Sequence, residues 1–154
     1  MTLLKNLQEY IEQRKQMNTN REKLYQAAKA SLGKEMSPQD VADDSLACVE
    51  SFCQVYKTAL GEFPNGMLFL STIKLYEFLS RSPLFVKATT ADPGTIVIAV
   101  TEGTRHGHIF IAGVERLYSN DSRNGLWLDG YTMKTARDYY EKKLGLKIHM
   151  FNRL

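Results

Sequence analysis

Two cysteines and three histidines are the residues of this 154-residue chain best suited to covalent chemistry. A thiol attacks carbonyl carbon only as thiolate, and proteins favour that form at a helix N-terminus or beside a histidine. Cys48 lies just after the acidic, cap-rich run Ala42-Asp43-Asp44-Ser45, with Leu46 and Ala47 between, near the start of a strongly apolar helical stripe, so a helix-start nucleophile is its functional reading. Its own amide could then help hold an oxyanion. The competing reading is a small buried apolar residue. Cys53, five residues deeper, reads as core. The two cysteines would lie about 140° apart around the helix axis, so two thiols are expected rather than a disulfide. Neither C-x4-C nor any other cluster has zinc-site spacing, and no metal or cofactor is expected.

His108 stands at the mouth of an apolar strand, directly after Gly107, where an imidazole could serve as general base. His106 reads as an exposed loop residue, and His149 as a surface or edge residue of the last strand. A base needs a third group to orient it. Asn120 is the first choice and Asp121 the second, because a hairpin across the Gly113 turn would carry them back toward His108. Both also fit a role as plain turn residues.

The elements that must position these groups fall in two blocks. Leu3, Leu4, Leu7, Tyr10 and Ile11 have helical spacing, which predicts an amphipathic helix over 3–16, docked on the core or on a neighbouring subunit. Met17-Asn18-Thr19-Asn20 reads as a break. A second helix follows through Leu24, Ala27, Ala28 and Leu32 to Gly33. Ser37-Pro38 is a cap pair for a third segment. A helix with Leu46, Val49, Phe52, Cys53, Tyr56 and Leu60 on one stripe ends at Gly61. Ser71 caps another helix, which stops before Pro83. From Phe85 onward the period shortens to that of strands: 85–87, 95–100, 108–112, 116–119 and 146–151. Residues 120–125 read as a loop, and Trp127 leads into a short helix near 132–143. Helices followed by an antiparallel meander predict an α+β fold.

Composition narrows the function further. A hydrophobic fraction of 44% and charged fraction of 24% suit one globular domain. The formal charge of +3 comes without a Lys/Arg cluster, which argues against nucleic acid as partner. No stretch reaches the roughly 18 apolar residues of a membrane span, and the N-terminus lacks the apolar core of a secretory signal. Synthesis in the cytoplasm without a signal peptide is expected, with no stable membrane insertion.

The order of Cys48 at a helix start, then Pro93-Gly94-Thr95-Ile96-Val97-Ile98, then Gly107-His108-Ile109-Phe110-Ile111-Ala112-Gly113, then a polar residue after the next strand resembles the CHAP and NlpC-type families. These are papain-like cysteine peptidases and amidases of peptidoglycan. The likeness spans about residues 37–151. Two positions depart from the family pattern: Val49-Glu50 stands where Ser-Gly often follows the cysteine, and Thr95 stands where Asp is usual. The resemblance implies a papain-like fold, a helical extension over 1–33 ahead of a hydrolase domain over 34–154, and an amide-cleaving activity on bacterial peptidoglycan. Cys48 would be nucleophile, His108 base and Asn120 the orienting residue. Tyr118-Ser119-Asn120-Asp121-Ser122 and Asn124-Gly125-Leu126-Trp127 look like a bacteriophage version. That version implies a virion-associated or wall-released protein, with residues 1–33 as a docking element for other virion proteins. Trp127 could wall the cleft, although a core position is the stronger expectation. The alternative is a catalytically silent virion structural or assembly protein that keeps the fold.

Overall fold

The computed structural model describes residues 2–37, 44–67, 71–101, 103 and 107–154, with the backbone alone for 44–46. The expected Ser37-Pro38 cap segment, His106 and the acidic residue Asp43 fall wholly or partly outside them. The fold is α+β: N-terminal helices followed by a six-stranded antiparallel sheet.

The first element departs from the expected pair of helices. A single helix α1 runs over Thr2–Ala30, with no break at residues 17–20. Asn and Thr disfavour helix interiors when their side chains compete for backbone groups. Here the side chains are occupied in ways the helix tolerates. Thr19 Oγ1 donates to the Lys15 carbonyl, Gln16 Nε2 donates to Asn20 Oδ1, and Asn20 Nδ2 donates to the Leu154 carbonyl. α2 spans Asp44–Leu60, and α3 spans Thr72–Arg81. Ser71 caps α3 as expected, its side chain accepting the Lys74 amide.

The strands are β1 (Phe85–Lys87), β2 (Ile96–Val100), β3 (His108–Ala112), β4 (Leu117–Asp121), β5 (Leu126–Tyr131) and β6 (Lys147–Arg153). Their order is β1-β6-β2-β3-β4-β5. β2, β3 and β4 form the expected meander and β5 extends it, but β6 inserts between β1 and β2, so His149 is on an interior strand rather than an edge. Its imidazole packs on Tyr76, ring centroids 4.4 Å apart. β4 continues through Asn120 and Asp121, which the sequence reading placed in a loop, and Trp127 lies in β5 rather than leading into a helix. After β5, a short α4 (Met133–Ala136), boxed by Thr132 and Thr135, continues as a π-helix over Arg137–Lys143.

Strand side chains alternate between two faces. Ile96, Ile98, Val100, Ile109 and Ile111 point toward α1, α2 and α3, joining Leu24, Ala28, Val49, Phe52, Leu75 and Leu79 in the larger core. Val97, Ala99, Phe110 and Ala112 point the other way, against Ala136, Tyr140 and Leu146. With both faces covered, β2 and β3 read as continuous apolar runs. Trp127 is fully buried in the larger core, its Nε1 donating to the Ala28 carbonyl at 3.0 Å. Gly94 pins α1 to the sheet: its φ is +88°, and a Cβ there would run into the Arg21 backbone. Among the described residues no helix is long and apolar enough to cross a membrane.

Candidate active site

α2 is the buried central helix, and Cys48 is its fifth residue, 1% exposed. Cys48 Sγ lies 4.0 Å from the Gly107 carbonyl, at the start of β3. Burial pushes the thiol up to about 12, against smaller opposing effects from the Thr72 side chain and the Ile109 backbone. The group is a neutral thiol at neutral pH. Gly107 is what allows this approach. A Cβ there would sit 2.6 Å from the Ala99 carbonyl and 2.8 Å from the Thr72 methyl, so only glycine lets β3, β2 and the start of α3 meet around the sulfur. Cys53 is fully buried core, as expected.

His108 opens β3 opposite Ala99 of β2. The strand's alternation turns its imidazole away from the α2 side, where Gly107 and Ile109 lie. The ring stacks on Tyr140 at 5.3 Å with planes 5° apart, and meets Phe110 edge-on at 4.7 Å. Nε2 is buried and has no hydrogen-bond partner. Burial lowers its pKa to about 4, with Asp121 pulling the other way. The imidazole is therefore neutral.

The orienting candidates separate in the same manner. β3 and β4 pair Ile111 with Tyr118 and Ala112 with Leu117. Continuing that count toward the start of β3 sets Asp121, rather than Asn120, opposite His108. Asp121 Oδ1 accepts the amides of Arg123 (2.8 Å) and Asn124 (3.3 Å), which fixes the carboxylate in an Asx turn. Asn120 pairs across the sheet with Trp127, on the helical side, and its Oδ1 is buried without a hydrogen-bond partner. The fold thus brings Cys48 and His108 to one end of β3 but from opposite faces. Asn120 lies on the cysteine's face and Asp121 on the histidine's.

On the histidine's face a cleft of about 540 Å³ opens, lined by His108, Asp121, Arg123, Tyr131, Tyr139 and Tyr140. Burial raises the Tyr140 phenol, which stays protonated. Tyr139 and Tyr140 come from the π-helical turn, a rare conformation found often at functional sites, and Tyr131 from the end of β5. The sequence reading singled out neither Tyr140 nor Thr72. The adjacent pair Tyr139-Tyr140 on a short helix, and Thr72 directly after a capping serine, were their only signals. Among the described residues no group of three His, Cys, Asp or Glu could hold a metal ion.

No protein-family model matches the chain, and no curated protein is significantly similar to it.

Proposed function

We propose that this chain is a papain-like cysteine hydrolase that cleaves an amide bond of bacterial peptidoglycan. The observation that carries the reading is the placement of Cys48. It is a thiol near the start of the central helix of an α+β fold, with its sulfur against the carbonyl of the residue that precedes His108. In the reaction the Cys48 proton passes to His108 and the thiolate adds to the amide carbonyl. The amine leaves with that proton, and a thioester remains. Water then hydrolyses the thioester, giving the carboxylic acid and restoring the thiol. Cys48 is the fifth residue of α2, so the free N–H groups that would hold the oxyanion are those of the turn ahead of it, not its own. Gly107 keeps the backbone between the two residues open. Asp121, opposite His108 by strand count, is better placed than Asn120 to hold its tautomer.

A second reading is favoured by one specific observation. The thiol is buried and neutral, and the imidazole stacks on Tyr140 on the other face of the strand. That arrangement suits a catalytically silent member of the fold that serves as a virion structural or assembly protein. Loss of turbidity of purified bacterial walls separates the two. The hydrolase reading expects clearing by the wild type and none by Cys48→Ala, with new amino termini appearing in step. Equal clearing by both proteins removes Cys48 from the mechanism. No clearing of any of several wall types by the wild type leaves the silent reading.

A further inference from the structure

We infer that the first four turns of α1 are a self-association helix through which two copies of this chain dimerise. From residue 2 to residue 16 every side chain of α1 is exposed, and buried positions begin only at Asn20. An isolated helical stretch of about 15 residues is marginal in water unless it packs against something. This one also carries an apolar stripe. Leu3 and Leu4 are 81% and 66% exposed, and Leu7, Tyr10 and Ile11 are exposed beside them.

The spacing of the stripe is that of a helix–helix seam. Leu4, Leu7 and Ile11 are three and then four residues apart, flanked by Leu3 and Tyr10. Arg14 closes the stripe, its guanidinium hydrogen-bonded to the Tyr10 hydroxyl at 3.2 Å and lying over the ring. The remaining charges, Lys5, Glu9, Glu12 and Lys15, are mixed in sign, and Glu12 pairs with Lys15 at 3.6 Å. A helix built for an anionic lipid surface would be basic on its polar face instead.

Area argues for a second copy as the occupant. The chain exposes 8978 Å², whereas a compact monomer of 17.6 kDa exposes about 7,900 Å². The surplus is on the order of 1,000 Å². Pairing the five stripe residues with those of a second copy would cover on the order of 500 Å² per copy, so about 1,000 Å² in total. That is the size at which specific protein contacts begin. A two-fold pairing also needs only one kind of surface, and the stripe supplies it.

Sedimentation and light scattering of the full chain from about 5 to 500 μM test this. The expected result is a mass rising from 17.6 kDa toward about 35 kDa, twice the chain mass. The Leu4→Glu/Leu7→Glu double variant should stay at 17.6 kDa and melt where the wild type melts at its lowest, monomeric concentration, because neither side chain is in the core. Leu4→Met/Leu7→Met should still dimerise. A wild type that stays monomeric throughout overturns the inference. A dimer that survives the double glutamate variant does the same, as does a monomer that instead binds vesicles of anionic phospholipid through this helix.

Discussion

The state of the Cys48 thiol yields a prediction with a worked magnitude. An ordinary cysteine with a pKa of 9.0 is about 9% thiolate at pH 8, whereas one pushed up to about 12 is about 0.01% thiolate. Alkylation proceeds through the thiolate, so Cys48 in the native protein should react with iodoacetamide about 1,000-fold more slowly than a small free thiol. Its 1% exposure can only slow it further. The assay is native alkylation between pH 7 and 10, followed by peptide mapping that scores Cys48 and Cys53 separately. Cys53 is the internal reference: it is fully buried in the same helix and is reached only when the structure opens. The rate at Cys48 should climb about tenfold per pH unit across the whole range without a plateau. A rate within tenfold of the free thiol, or a plateau below pH 9, would refute the reasoning. Either result would mean that a thiolate is already populated, as an assembled cysteine–histidine pair requires.

Two further predictions concern the frame around the site. Trp127→Ala should cost about 3–5 kcal/mol of stability by denaturant midpoint followed by circular dichroism, because it empties a fully buried position; Trp127→Phe should cost less, mainly by leaving the Ala28 carbonyl without its 3.0 Å donor. The His108 imidazole should titrate by NMR with a midpoint near 4, and because folding lowers its pKa, the stability it contributes is fully present above pH 6.5 and is lost as pH falls from 6.5 through 4, on the order of 3 kcal/mol in all.

The helical block was legible because periodicity reports burial directly. The stripe from Leu46 to Leu60 became α2, and Ser71 became a working cap. Local signals failed where tertiary contacts overrode them. Met17-Asn18-Thr19-Asn20 looks like a break until Asn20 is seen bonded to the Leu154 carbonyl, 134 residues away. β5 was missed because Leu126-Trp127-Leu128-Asp129-Gly130-Tyr131 shows no alternation. Its Trp127 belongs to the helical core while its neighbours are only half-buried, and Asp129 and Gly130 are poor strand formers. The insertion of β6 beside β2 is a long-range pairing of Ile96 with Phe151, which no local pattern encodes.

Within the candidate site, residue types were legible and side-chain directions were not, and direction is what separates the two functional readings. A strand reverses its facing at every residue, so a one-residue change of register sends a side chain to the opposite face. Gly107 and Ile109 face α2, and His108 between them faces Tyr140. One extra residue accommodated at the mouth of β3, as in a β-bulge, would turn the imidazole toward Cys48 and give up a ring stack and an edge contact. The buried Nε2 has no hydrogen bond to lose in that rotation, while the thiol it would meet donates to the Gly107 carbonyl at 4.0 Å. A thiol held near 12 and an imidazole held near 4 each become easier to ionise once they face one another, since each ion is then the other's partner. The two shifts thus describe two groups buried on opposite faces of β3. Catalysis by Cys48 and His108 requires the start of β3 to change facing, whereas a silent scaffold requires it to stay as it is.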